Sequence, residues 1–143
     1  MITNNNTWQR ALLLPRYYEK NAHSIAGLSS QFQIKKFQLG HDPDLINETT
    51  NPPGLRTIDT SLNQLANVFY EAPFKPGDIV FANGRLLFKC VMPEGAIAAP
   101  AKYSLTGLID QEGDLIAVSL DLPDWVTPTE GVRIHPYINF PIG

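Results

Sequence analysis

Twelve prolines and ten glycines govern what this chain can fold into. They gather at Asn51-Pro52-Pro53-Gly54, from Pro73 to Gly77, from Pro93 to Pro100, from Pro123 to Pro128 and from Pro136 to Pro141. Proline removes a backbone donor and fixes φ, while glycine frees the backbone, so these positions are expected to punctuate the chain. Short segments remain between them, the spacing of a mostly-β domain with long loops. No internal repeat is present, and Asn4-Asn5-Asn6 is the one low-complexity tract.

The composition is that of a folded chain, with 43% apolar and 17% charged residues. Its 143 residues fit one domain that buries a core without staples. A net charge of −3 and scattered basic residues argue against a nucleic-acid binder; Lys35-Lys36 is the only adjacent basic pair. The single Cys90 has no internal disulfide partner and lies in an apolar run, which reads as a small buried hydrophobe. No stretch approaches the ~18 apolar residues of a membrane-spanning helix. Residues Ala11 to Leu14 are too short for the core of a signal peptide and stop at Pro15. The chain is therefore expected to be made in a cytoplasm and to be soluble there.

Residues 1–15 read as an N-terminal arm, and 16–143 as a single β-rich domain. The arm carries Trp8, Leu12, Leu13 and Leu14, to be buried on a neighbouring subunit or folded back on its own domain. Residues 17–30 form a short helix on the spacing of Tyr18, Ala22, Ile25 and Ala26. Residues 31–39 form a strand in which Phe32 and Ile34 share one parity and Phe37 and Leu39 the other. That conflict calls for a bulge near Lys35-Lys36 or for cover on both faces. A polar loop follows over 40–56. Leu62, Leu65, Ala66 and Phe69, at i, i+3, i+4 and i+7, predict a second helix over 59–71.

Two hairpins carry the strongest local signals. Asn83-Gly84 favours positive φ at both central positions of a type I′ turn, joining 78–82 to 85–92. The second arm is apolar on nearly both faces and is expected to be a central strand. Gly113, in the loop Asp110-Gln111-Glu112-Gly113-Asp114, joins Tyr103–Ile109 to Leu115–Leu120. A last strand covers Val132 to Phe140, and Pro136 inside it suggests an edge or a bulge. The fold class read from this pattern is mostly β with one or two short helices (α+β), its antiparallel hairpins forming a small sandwich-like core.

Chemistry is sparse. His41-Asp42 with Asp44 is the densest polar cluster, and no second ligand pair stands at a metal spacing. Asp110, Glu112 and Asp114 share one loop without the longer calcium-binding pattern, which reads as a solvated turn. No phosphate loop, nucleophile elbow or cysteine–histidine pairing is present, so no enzyme, metal or cofactor is expected. Trp8, Tyr17, Tyr18, Tyr70, Trp125 and Tyr137 lie mostly near segment ends or in loops, where tryptophan and tyrosine serve equally as interface anchors and as core rims.

Gly107-Leu108-Ile109-Asp110 followed by Glu112-Gly113-Asp114-Leu115-Ile116-Ala117-Val118 resembles the E-I-G-L-x-D-x-x-G-x-L-I-A-V segment of bacteriophage tail-fibre N-terminal domains. That family joins the fibre to the baseplate of a contractile tail. The order upstream also fits, with Leu39-Gly40, a proline-bearing loop, Thr60-Ser61-Leu62 and Tyr70. Leu105-Thr106 replace the glutamate and isoleucine of the pattern, and the arm is longer. The resemblance implies a virion structural protein of the tail, an adaptor between baseplate and tail-fibre proteins, oligomeric and trimeric as the first expectation. Ending at Gly143 with no shaft or receptor-binding tip, the chain is expected to be the attachment part alone. The implied interface is Trp8, Leu12, Leu13, Leu14, Trp125 and Tyr137, with no nucleic-acid or membrane partner. The alternative is a small carbohydrate- or ligand-binding β domain, with Trp125 and nearby tyrosines stacking on a sugar.

Overall fold

A computed structural model describes residues 3–29, 31–47, 54–55 and 62–140. The chain opens with β1 (Thr3–Arg10) and β2 (Leu12–Leu13), then α1 (Pro15–Ile25) and β3 (Ile34–Gly40). A 3-10 turn at Pro43–Leu45 precedes the two-residue strands β4 (Ile46–Asn47) and β5 (Gly54–Leu55), which pair with each other. Then come β6 (Tyr70–Pro73), β7 (Ile79–Ala82), β8 (Arg85–Phe88) and β9 (Cys90–Met92). The longest strands close the fold: β10 (Ala101–Asp110), β11 (Leu115–Val126) and β12 (Val132–Asn139).

Two five-stranded sheets result. One runs β1-β12-β8-β7, with β9 also on β12, and the other β2-β11-β10-β3-β6. All neighbours are antiparallel except β1, which runs parallel to β12. The protein is thus mostly β with one helix, a sandwich as its segment lengths implied. The core between the sheets takes Phe88, Cys90, Met92, Val132, Ile134 and Ile138 from the first and Phe37, Leu39, Tyr103 and Ile116 from the second. Burying each large side chain of this set contributes about 1.5–3 kcal/mol. Rings of Phe37, Phe74 and Phe88 stack across it at centroid distances of 5.4 and 5.5 Å.

The segment read as an arm contributes a strand to each sheet. The Ala11 N–H donates to the Tyr137 carbonyl at 2.7 Å on one side, and the Leu14 N–H to the Ile116 carbonyl at 3.0 Å on the other. Residues 11–14 therefore cross from sheet to sheet and tie them together.

Several expectations meet their structural cause. Asn83 and Gly84 have φ of 52° and 74°, the type I′ turn that the dipeptide favours. Of the arm 85–92, expected to be a central strand, β8 lies inside its sheet between β7 and β12, whereas β9 pairs with β12 alone. Between β3 and β10 the register passes from Lys36↔Ile109 to Ile34↔Asp110, so Lys35 is the extra residue of a bulge. That bulge reverses the parity between Ile34 and Phe37.

Others are corrected. The expected helix over 59–71 is absent from its described part: residues 62–69 are irregular and 70–73 are β6. Non-local backbone bonds displace the helical ones. The His41 N–H donates to the Ala66 carbonyl at 3.2 Å, the Phe69 N–H to the Leu39 carbonyl at 2.9 Å, and Asn67 takes a φ of 51°. The apolar side chains of the segment still find a purpose, since Leu65 and Leu62 cover the outer face of the second sheet over Leu105, Ile109 and Val118. The first helix starts at Pro15, where a missing N–H costs nothing, and stops at Ile25 before Gly27 at φ 72°.

The last strand is not an edge. β12 is paired on both sides, by β1 and by β8 and β9. Pro136 is tolerated there because the constant register sets it against Phe88, at the break between β8 and β9, where no ladder bond requires its N–H.

Candidate functional site

The helix α1 is held by its polar side. Tyr17 is 6% exposed and meets Phe32 edge-on at 5.6 Å, and the Ser24 hydroxyl accepts the Phe32 N–H at 3.2 Å. Between them Lys20 reaches the loop joining β10 to β11. Its ammonium donates to Asp110 Oδ2 at 2.5 Å, Asp114 Oδ2 at 2.7 Å and Glu112 Oε1 at 3.2 Å. Arg16 adds a bond to the Leu115 carbonyl at 3.2 Å.

Asp110 organises the loop from within. Its carboxylate is fully buried, and Oδ1 accepts the N–H groups of Glu112 at 3.1 Å and Asp114 at 2.9 Å. Gly113, at φ 88°, lets the loop close. The acidic trio is therefore more than the solvated turn read from the sequence: it surrounds an internal cation, the Lys20 ammonium. Burial pulls the Lys20 pKa down, but the bonds to the three carboxylates outweigh it and leave the pKa raised. The same bond from Lys20 holds the Asp114 carboxyl below its ordinary range.

Locking α1 by Tyr17, Lys20 and Ser24 fixes which face looks outward. Tyr18 is 59% exposed, Ile25 80% and Leu28, just past the helix end, 76%; Ala22 lies between them, also exposed. The apolar spacing that signalled the helix thus faces solvent, and the polar positions face the domain. This stripe was missed as a site because an apolar helix face ordinarily packs inward. What reverses it is a set of bonds to residues 90 or more positions away.

The expected interface residues are not gathered in one place. Leu14 is 3% exposed and packs with Leu65 and Leu105, and Leu13 is half-buried against the core. Both are consumed by the domain itself. Leu12, opposite Val118, stays 46% exposed. Tyr137 lies on the other sheet, half-buried under the Arg85 guanidinium at 4.7 Å from its ring. The backbone of Trp8 pairs with His135 beside it; the Trp8 side chain lies outside the described residues. Trp125 is 57% exposed near the end of β11, with the Lys102 ammonium 5.9 Å from its ring.

The remaining polar groups serve the fold. His41 is buried, with Nδ1 at 2.8 Å from the Ser104 hydroxyl, while the Asp42 carboxylate accepts the Asp44 N–H in a local turn. The Tyr103 hydroxyl bonds to Thr106 at 2.9 Å inside the core. Burial pushes the Cys90 thiol well above its ordinary pKa, away from the reactive thiolate. Among the described residues no group of three or more His, Cys, Asp and Glu side chains is placed to hold a metal. No helix among them is long and apolar enough to cross a membrane.

Two clefts lined by described residues open beside these elements. One, of about 350 Å³, lies beside the Lys20 hub and is lined by Arg16, Glu19, His23 and Glu112. The other, of about 370 Å³, runs between the sheets under the β7 side and is lined by Tyr17, Ile34, Ile79, Leu86, Phe88 and Phe140. Comparison of the chain with family models, with curated proteins and with solved structures gives no match.

Proposed function

We propose that this chain is an assembly protein of a contractile phage tail, an adaptor that attaches a tail fibre to the baseplate. The observation that carries this reading is the outward apolar stripe Tyr18, Ala22 and Ile25 of α1, continued by Leu28 past its end, on a helix bonded to its domain by its polar side. Such a stripe, with anchors at i, i+4 and i+7, suits an apolar groove on a partner protein. The resemblance of the Gly107 to Val118 hairpin to tail-fibre attachment domains supplies the identity of the partners, baseplate and fibre proteins.

The test is direct binding to the purified fibre and baseplate proteins encoded beside this chain's gene. The parent binds one of them, and Ile25→Asp with Leu28→Asp weakens that binding at least tenfold while the melting temperature holds. No binding by the parent, or unchanged binding by the double variant, refutes the reading.

One observation favours a second reading. The open Trp125 ring, with Lys102 and Asp124 beside it, has the makings of a sugar-stacking platform. Glycan binding abolished by Trp125→Ala would support it, and unchanged binding would remove it.

A further inference from the structure

Besides the three-residue β9, which pairs with β12 alone, four strands end the two large sheets, and three of them are protected. β2 has two residues. β6 ends at Pro73 and carries Glu71 in an ion pair with Lys36 at 2.7 Å. β1 begins as a polar run, Thr-Asn-Asn-Asn-Thr, and its register breaks between Thr3 and Trp8. The fourth, β7, reads Ile-Val-Phe-Ala, without the charge, proline or bulge that ordinarily blunts an open edge.

The hairpin geometry fixes which backbone groups that edge offers. A two-residue turn makes Ala82 and Arg85 a hydrogen-bonded pair, and the Lys89 N–H donates to the Asp78 carbonyl at 2.8 Å, in the same phase. Asp78, Val80 and Ala82 thus spend their backbone groups on the β8 side. Ile79 and Phe81 direct theirs outward, and no other described backbone group bonds to them. Their side chains also differ from those between them: Ile79 packs on the core, so Val80, 41% exposed, lies on the opposite face.

We infer that β7 pairs with β7 of a second copy of this chain, antiparallel across a two-fold axis at Val80. That register is self-complementary, as a two-fold interface requires. Ile79 of each copy exchanges both backbone bonds with Phe81 of the other, and the two Val80 residues meet as the non-bonded pair between them. The charges agree as well. Asp78 comes opposite Ala82 of the second copy, whose sheet neighbour is Arg85; to reach that carboxylate, about 10 Å away across two strands, the guanidinium swings off the Tyr137 ring. Each end of the junction then joins an acid to a base.

Phe81 gives the second copy a further purpose. It is 62% exposed, touched edge-on by Phe140 at 6.3 Å, and lies on the same side of the strand as Ile79. Across the axis it faces Ile79 of the other copy, at the margin of the cleft lined by Ile79, Leu86, Phe88 and Phe140. The pairing extends the first sheet to ten strands and covers that cleft's rim. Resting on the assembly reading above, it makes the adaptor bivalent, each pair presenting two α1 stripes.

Sedimentation equilibrium of the parent, without any tail protein, should return twice the chain mass of 15.9 kDa. Val80→Lys sets two ammonium groups directly opposite at the axis and should give folded monomers whose melting temperature, unlike the parent's, does not depend on protein concentration. Val80→Cys should cross-link on mild oxidation, since a non-bonded pair holds its Cα atoms about 4.5 Å apart, within disulfide range. Phe81→Cys should not, because the two Phe81 residues stand two positions out of register and roughly 8 Å apart on the same spacings. A monomeric or trimeric parent, or equal cross-linking of both cysteine variants, overturns the pairing. Neither result touches the binding of α1 to tail proteins, which is measured separately.

Discussion

Replacing Lys20 by methionine keeps its aliphatic reach and removes the charge at the centre of the loop between β10 and β11. The three carboxylates lose unequally. Glu112 and Asp114 are 59% and 47% exposed, so each forfeits only the ~0.2–1 kcal/mol of a surface pair. Asp110 is fully buried, and breaking a buried pair costs about 3–5 kcal/mol. Asp110 keeps two backbone donors, and Lys20 is itself 18% exposed, so water tempers that loss. A total of roughly 2–3 kcal/mol follows, and in a domain of this size that lowers the melting temperature by about 8–10 °C.

Circular dichroism melts and urea titrations of Lys20→Met, Asp110→Asn and the double variant measure the coupling. Asparagine still accepts both loop N–H groups but presents no charge, so the double variant should fall short of the summed losses by about 1–2 kcal/mol. The pH dependence has a definite sign. The Asp114 carboxyl is held below its ordinary value of 3.8, so its contribution is complete above that value and disappears as the pH falls through the lowered one. The Lys20 ammonium is raised above 10.5, so its contribution is complete below that pH and is lost on rising above it. A Lys20→Met melt within about 2 °C of the parent, with additive losses in the double variant, would refute the hub.

Gly40→Ala should destabilise by about 2–3 kcal/mol in urea titration, because its Cβ would stand 2.7 Å from the Ala66 carbonyl oxygen, a backbone atom that yields little. The amide protons of His41 and Phe69 should lose exchange protection in the same variant, since their bonds tie β3 to the 62–69 segment. Phe88→Ala removes a ring with no exposed surface from the centre of the core and should cost about 3–5 kcal/mol in the same titration. Cys90, with no exposed surface, should resist iodoacetamide in the native protein at neutral pH and react fully in denaturant; modification of the native protein would contradict its burial.

The sequence was informative where a few adjacent residues decide the backbone. Asn83-Gly84 and Gly113 specify turns by their own φ preferences, and the conflicting parity of Ile34 and Phe37 betrayed the Lys35 bulge. It misled where one pattern serves two structures. Leu62 and Leu65 are spaced for a helix, yet the same residues cover a sheet from an irregular segment whose backbone bonds go to Leu39 and His41. Pro136 marks an edge only if its missing N–H would be needed, and the gap between β8 and β9 removes that need. The outward turn of α1 was invisible, because the Lys20 partners lie on a hairpin remote in sequence.

The hairpin that carries the family resemblance is accounted for, residue by residue, by folding. A Cβ at Gly107 would stand 2.8 Å from Leu65 Cδ1 and from Leu115 Cδ1, so the glycine admits the cover over the second sheet. Asp110 caps its own loop and holds Lys20, Gly113 supplies the positive φ, and Leu115, Ile116, Ala117 and Val118 are all buried. A motif so occupied has little left with which to touch a partner. Its bearing on the proposed assembly role is indirect: through Asp110 and Asp114 it anchors Lys20, and Lys20 keeps the polar side of α1 against the domain. Releasing that anchor would free the helix to turn Tyr18 and Ile25 inward. On the assembly role proposed above, the Lys20→Met variant should therefore lose partner binding along with stability, read in the same binding assay.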